Sequence, residues 1–164
     1  MIARAIGTVC GVGNLRPAPG TWGSVAALPL AWGLHTLGGV VLLAVATIAV
    51  FAAGWWATAQ ITHGSDNHDP SEVVVDEVVG QWLALFPLSY AASTRGLDIL
   101  DLWPGWISAL ILFRLFDIWK PWLVGKADRR GDALGVMLDD VVVGVFAPLG
   151  VIALAAIAHG VIMR

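Results

Sequence analysis

The sequence has little charge and almost no cysteine. Only 13% of its 164 residues are charged, whereas soluble domains carry about 25%, and 58% are hydrophobic with a mean hydropathy of +0.80. These values predict an integral membrane protein. A net charge of −3 gives no basic surface for nucleic acid, and a single cysteine, Cys10, excludes an intramolecular disulfide. The first 20 residues are interrupted by glycine and proline, which predicts no cleaved signal peptide.

Five apolar stretches run along the chain, separated by polar segments. The stretches cover residues 22–37, 38–61, 73–92, 102–119 and 141–163. Crossing a bilayer takes about 20 apolar residues, so the second and fifth are long enough, whereas the first and fourth are short. Because lipid offers the backbone no hydrogen-bond partners, each stretch should be helical. We predict an all-α polytopic membrane bundle of about five helices, one domain over residues 1–164, with a turn at Gly38-Gly39.

The basic residues predict the orientation of this bundle. Residues 114–130 contain five of the nine lysines and arginines, and Arg4 and Arg16 lie near the N-terminus. The positive-inside rule places both segments in the cytoplasm. With five crossings, four polar clusters then share the cytoplasmic face: "PAPGTWGS", "DPSEVVVDE", "FRLFDIWKP" and "MLDD". A site built from these clusters would therefore lie at the cytoplasmic end of the bundle.

Two pairs of acidic residues occur in similar contexts, "VVVDEVVG" and "VMLDDVVVG". The pairs are Asp76 with Glu77 and Asp139 with Asp140. A glycine follows each pair, Gly80 or Gly144, and lets another helix approach closely. Four carboxylates brought together need a counter-charge, which hard divalent cations with oxygen ligands supply. The alternative is that the acids merely favour helix starts through the helix dipole.

Three charges lie inside the apolar run "FRLFDIWKPW". Arg114, Asp117 and Lys120 are spaced i, i+3, i+6, which places neighbours in the series near one helix face. The planar fork of Arg114 suits a phosphate. The alternative is an interfacial cluster in which the long basic side chains reach for the lipid head groups.

Two further segments contain candidate residues with a structural alternative. "Asp69-Pro70-Ser71-Glu72" has the form of a helix start, so Asp69 is either an N-cap or a site residue. A third helix beginning at Pro70 would place Asp76 and Glu77 beyond its first turn. In the first cluster, Thr21 and Ser24 could offer hydroxyls to an anion at a helix N-terminus. A turn with a hydroxyl cap explains them equally well.

Four motifs together resemble the bacterial phosphatidylglycerophosphatase A family. They are "GVGNLRPAPGTWGS", "DPSEVVVDEVVGQW", "FRLFDIWKPW" and "GVMLDDVVVG", in the family's order and over most of the chain. Leu123 and Val143 stand where the family usually has proline and alanine. The resemblance implies a membrane phosphatase that uses Mg²⁺ to convert phosphatidylglycerophosphate to phosphatidylglycerol and inorganic phosphate. It also implies a multi-pass protein of the bacterial cytoplasmic membrane, with the lipid as its partner and the site facing the cytoplasm.

The resemblance also implies roles for the charged residues. The expected ligands of one or two Mg²⁺ ions are five carboxylates, Asp76, Glu77, Asp117, Asp139 and Asp140. The expected phosphate-binding residues are Arg114, Lys120, Thr21 and Ser24. A water nucleophile and a covalent route through an aspartate or Thr21 both stay open. The rival functions are an ion-coupled transporter, which would hold its acids near the bilayer midplane, and a non-catalytic membrane subunit.

Overall fold

The computed structural model describes residues 1–120 and 132–162, and this part of the chain is helical without a strand. The helices are α1 (Ile2–Gly7), α2 (Pro19–Thr62), α3 (Val75–Arg95), α4 (Trp103–Trp119) and α5 (Ala133–Ile162), with short 3-10 turns at Val12–Asn14 and Ile99–Leu102. The predicted all-α fold is confirmed. The basic residues Lys126, Arg129 and Arg130 and the departure at Leu123 lie outside the described residues.

The long helix α2 consists of two helical segments, residues 19–37 and 40–62. They meet at Gly38 and Gly39, whose backbone angles are not helical. Gly39 has φ +62 and ψ −156, a conformation that glycine adopts without steric cost. Across this kink the Val40 N–H donates to Ser93 Oγ of α3 at 3.3 Å. The predicted turn is therefore confirmed, and the two segments with α3, α4 and α5 make five long helical pieces.

Among the described residues, three segments are long and apolar enough to cross a membrane: Pro19–Thr62, Ile99–Trp119 and Ala133–Ile157. Their outer faces expose large apolar side chains such as Ile48, Ile118 and Leu149. Helix α3, in contrast, buries more than half of its residues. The three candidate spans therefore surround α3 and present an apolar surface suited to lipid.

Helices α3 and α5 touch backbone to backbone where two glycines meet. A Cβ atom on Gly80 would lie 2.6 Å from the Asp140 carbonyl oxygen and 2.8 Å from Phe113 Cζ, and one on Gly144 would lie 2.9 Å from Gly80 Cα. The close approach expected at these glycines is confirmed. Because Asp76 precedes Gly80 and Asp140 precedes Gly144 by one helical turn, the crossing brings the two acid pairs together.

The third helix begins five residues later than predicted. It starts at Val75 with Val74 as its N-cap residue, and no side chain caps it. Of the two alternatives for Asp69, the N-cap of a helix from Pro70 is therefore wrong. The Val74 N–H instead donates to the Gly7 carbonyl at 2.8 Å. Val73 and Val74 are both buried, and this tertiary contact with α1 overrides the local capping signal.

The fifth helix begins earlier than its apolar stretch. It starts at Ala133, and Asp132 Oδ1 accepts a hydrogen bond of 2.7 Å from the Gly135 N–H. Asp139 and Asp140 therefore lie about two turns inside α5 rather than at its start. Asp76 and Glu77, in contrast, lie in the first turn of α3 rather than beyond it.

Candidate active site

The four polar clusters meet in one cavity of about 230 Å³ at one end of the bundle. Its wall comes from the N-terminus of α2, the loop before α3, the first turn of α3, the end of α4 and the second turn of α5. Eight of the predicted site residues line it: Asp69, Asp76, Glu77, Arg114, Asp117, Lys120, Asp139 and Asp140. Thr21 and Ser24 are not among the lining residues. The exposed Asp69 thus stands at the cavity although it does not cap α3.

Three carboxylates form a tight, largely buried cluster in this cavity. Asp76, Glu77 and Asp140 each offer an oxygen, and these oxygens lie within 4.8 Å of one another. The exposed fraction is 7% for Asp76 and 3% for Asp140. Asp76 Oδ1 and Glu77 Oε2 have no hydrogen-bond partner among the described residues. Buried oxygens left in this way are suited to hold a cation.

The cost of this cluster is larger than the helix dipole can offset. Burying a carboxylate costs several kcal/mol per ion even after relaxation, whereas a charge at a helix N-terminus gains about 0.3–1 kcal/mol. Asp76 and Glu77 receive that gain, but Asp140 lies too far inside α5. Carboxylate oxygens are the ligands that Mg²⁺ and Ca²⁺ prefer, and zinc sites usually add histidine or cysteine. The cluster therefore fits a hard divalent cation.

The other two carboxylates are each paired with a cation. Asp117 Oδ2 lies 2.7 Å from Arg114 Nη1, and Asp139 Oδ2 accepts a hydrogen bond of 3.1 Å from Lys120 Nζ. Glu77 Oε1 is 4.0 Å from the same Arg114 nitrogen. The five acids that were expected to act alike thus divide into a three-carboxylate cluster and two ion pairs.

Two nitrogens of the Arg114 guanidinium group lack a hydrogen bond among the described residues. Its Nε and Nη1 are buried and make no hydrogen bond within the described part of the chain. The short contact to Asp117 is therefore an ion pair without hydrogen-bond geometry, since a hydrogen bond weakens steeply when its angle closes. A tetrahedral anion in the cavity could satisfy these donors, as arginine binds phosphate through several N–H groups.

The start of α2 reaches the cavity through its backbone rather than through hydroxyls. Ala18, Pro19 and Gly20 line the cavity. A Cβ atom on Gly20 would run into Glu77 Oε1 and come within 3.2 Å of Arg114 Nη2, so glycine lets these two side chains lie against the start of α2. Ser24 is fully buried and donates to the Gly20 carbonyl at 3.0 Å. Thr21 is half-buried outside the cavity.

One buried polar residue was not predicted from the sequence. Gln81 is fully buried, and neither its Oε1 nor its Nε2 has a hydrogen-bond partner among the described residues. It lies one helical turn after Glu77, so their side chains occupy the same side of α3. A polar amide four residues after an acid, within an apolar run, was the available signal. An unpaired buried amide costs about 1–3 kcal/mol, which makes Gln81 a candidate support for the carboxylates.

Comparison with known proteins shows the family of the chain. A family model described as phosphatidylglycerophosphatase A matches residues 5–155. The chain is 34% identical to phosphatidylglycerophosphatase A of Haemophilus influenzae over 88% of this chain and 83% of that protein. It is 33% identical to phosphatidylglycerophosphatase A of Escherichia coli over 79% of this chain and 69% of that protein.

A third relative has a different name. The chain is 37% identical to a protein of Bacteroides thetaiotaomicron named "Putative phosphatidylinositol-3-phosphatase", over 87% of this chain and 86% of that protein. The names of the three relatives all describe a phosphatase acting on a phosphorylated lipid, but they differ in the lipid head group. No solved structure matches the chain.

Proposed function

Because the chain belongs to the phosphatidylglycerophosphatase A family and is a phosphoric monoester hydrolase, we propose that it hydrolyses phosphatidylglycerophosphate with the help of Mg²⁺. The products are phosphatidylglycerol and inorganic phosphate, which gives the enzyme a place in phospholipid biosynthesis. The observation that carries the proposal is the buried cluster of Asp76, Glu77 and Asp140 beside the donors of Arg114. It supports the binding of a cation and a phosphate next to each other.

The three-carboxylate cluster would hold the Mg²⁺. This ion would supply charge neutralisation on the phosphate oxygens and a lowered pKa for a bound water. Arg114 would bind the phosphate oxygens through Nε and Nη1, and Asp117 would keep its guanidinium turned into the cavity. Lys120, hydrogen-bonded to Asp139, would bring a second positive charge to the same group. Stabilising charge on the transferring phosphoryl group is where catalysis of this reaction chiefly acts.

The proposed reaction makes and breaks bonds at phosphorus. An oxygen nucleophile attacks phosphorus, the bond from phosphorus to the terminal glycerol oxygen breaks, and that oxygen takes up a proton. Asp139 lies outside the three-carboxylate cluster and beside Lys120, so this pair is suited to move the proton. The net reaction consumes one water and releases inorganic phosphate.

The position of the cavity favours a lipid substrate. Ile118 and Trp119 expose 73% and 72% of their surface on the same last turn of α4 that leads to Lys120. An acyl chain could therefore remain against this apolar surface while the head group enters the cavity. We place the cavity at the cytoplasmic surface of the bacterial inner membrane, following the basic residues of the sequence. An ion-coupled transporter would instead hold its acids on broken helices near the midplane.

Phosphate release by purified protein tests this function. In detergent with Mg²⁺, the wild type should release phosphate from phosphatidylglycerophosphate, and phosphatidylinositol 3-phosphate serves as the comparison substrate. Asp140→Asn should lower turnover by at least about 100-fold, because it keeps the shape but removes charge from the cluster. Asp98→Asn is the matched control, since Asp98 lies outside the cavity and caps the Leu100 N–H, which asparagine can also do.

A wild type that hydrolyses only the inositol lipid would overturn the proposed substrate. A wild type that hydrolyses neither would favour the transporter or the non-catalytic subunit. Normal turnover in Asp140→Asn at matched protein amount would remove the three-carboxylate cluster from catalysis.

A further inference from the structure

One positively charged side chain at the rim of the cavity, that of Arg16, has no role in the mechanism above. Arg16 lies in the loop between α1 and α2, and its Nη1 donates to Ser71 Oγ at 3.3 Å. Ser71 lines the cavity, and so do Ala18 and Pro19, which follow Arg16 in the chain. Both Arg16 and Ser71 are exposed, so this contact marks the entrance of the cavity rather than its floor.

The charge of Arg16 is compensated differently from the charges inside the cavity. Arg114 and Lys120 each lie within ion-pair distance of a carboxylate. Within residues 1–120 and 132–157, the Arg16 side chain has a neutral partner, the hydroxyl group of Ser71. A guanidinium group whose partner is neutral carries a charge that no carboxylate offsets, and its planar fork matches two phosphate oxygens.

The proposed substrate brings two anionic groups to this cavity. One is the phosphomonoester that is hydrolysed, and the other is the phosphodiester that links the head group to the lipid and remains in the product. The cations inside the cavity can serve the monoester. The diester lies one glycerol unit further towards the lipid, so a head group whose monoester reaches the carboxylates would hold its diester nearer the rim.

Resting on the proposed function, we propose that Arg16 binds the phosphodiester of the lipid head group and is a specificity-determining residue. It would favour lipids that carry both a phosphomonoester and a phosphodiester over lipids with a monoester alone. Ser71 would hold the guanidinium over the entrance. Arg16 makes no contact with the bond that breaks, so its contribution belongs to substrate binding.

Steady-state kinetics in neutral mixed micelles test this role. Arg16→Gln should raise the KM for phosphatidylglycerophosphate by about tenfold, the loss of one charge-assisted contact to phosphate, with kcat nearly unchanged. Inhibition by the product phosphatidylglycerol, which carries only the diester, should weaken to a similar extent. Inhibition by inorganic phosphate, which resembles only the monoester, should stay as in the wild type. Arg16→Lys should recover part of the loss.

The matched control is Arg4→Gln, which removes an exposed cation of the same N-terminal segment that does not line the cavity. Equal effects of Arg4→Gln and Arg16→Gln would reduce the role of Arg16 to general surface charge and overturn the proposal. An unchanged KM in Arg16→Gln, or an equal weakening of phosphate inhibition, would also overturn it. An inactive wild type would refute the proposed function itself, whereas an active wild type with these variant results would refute only the role of Arg16.

Discussion

Replacing Gly20 by alanine tests the site without removing any functional group. The added methyl group would overlap Glu77 Oε1 and lie 3.1 Å and 3.2 Å from the two terminal nitrogens of Arg114. These atoms are the ends of flexible side chains, so the helix can stay in place while both charged groups withdraw. Alanine is also the better helix former by about 1 kcal/mol. We therefore expect Gly20→Ala to fold and insert normally.

The loss should instead appear in the rate. To restore ordinary contact, the Glu77 carboxylate has to move by roughly 1 Å, and a displacement of this size in a catalytic site can cost about 10²-fold in rate. Glu77 belongs to the three-carboxylate cluster, so the Mg²⁺ concentration that gives half-maximal activity should rise as well. The same methyl group crowds Arg114, so the KM for the phosphorylated lipid should increase.

Gly33→Ala is the control for this experiment. Gly33 lies in the same helix, and an added Cβ atom there has no neighbour within 4 Å. Both variants should show wild-type thermal stability in detergent, and only Gly20→Ala should lose phosphate release. Activity of Gly20→Ala close to that of Gly33→Ala would refute the reasoning, because Glu77 and Arg114 could then move without consequence.

Three further predictions concern the metal, the buried amide and the topology. Chelation by EDTA should abolish phosphate release, and Mg²⁺ should restore it better than Zn²⁺ because the candidate ligands are all oxygens; full activity after thorough chelation would contradict this. Gln81→Leu should raise the Mg²⁺ concentration for half-maximal activity about tenfold, as expected for a residue supporting a metal ligand. An unchanged dependence of activity on Mg²⁺ would show that Gln81 only packs in the core. In a Cys10→Ser background, the variants Asp66→Cys and Asp98→Cys should be labelled by membrane-impermeant thiol reagents from opposite sides of the membrane. Labelling of both from one side would disprove the five-segment topology.

The sequence allowed the helix crossing to be predicted because the relevant signal is local. Each acid pair precedes a glycine by one helical turn, and small residues are what close helix packing in a membrane requires. Gly80 and Gly144 indeed lie against each other. The turn at Gly38-Gly39 was predictable for a similar reason, since a glycine pair between two apolar stretches is itself the signal.

The start of α3 could not be predicted because a distant contact decides it. Asp69 to Glu72 carries every local sign of a helix N-terminus. The hydrogen bond from Val74 to Gly7 and the burial of Val73 keep this segment out of the helix. Sequence spacing alone gives no indication that α1 packs there. Asp69 nevertheless reaches the cavity, as part of the loop that forms its rim.

The division of the acids into two classes also required three dimensions. Asp139 and Asp140 are adjacent in sequence, but neighbours on a helix point about 100° apart. Asp139 therefore meets Lys120, the residue that follows α4, whereas Asp140 joins Asp76 and Glu77 of α3. The sequence shows two equivalent pairs, and only the helix crossing reveals which member of the second pair joins the cluster.

The observed helix starts change which carboxylates the helix dipole can stabilise. Distance from the helix start no longer separates Asp76 and Glu77 from a dipole effect, since both lie in the first turn of α3. Asp140, in contrast, lies about two turns inside α5 and is 3% exposed. The dipole decays within the first turn, so it cannot account for a carboxylate at this depth. The proposed cation between α3 and α5 would balance the charge of Asp140 and its two acidic neighbours.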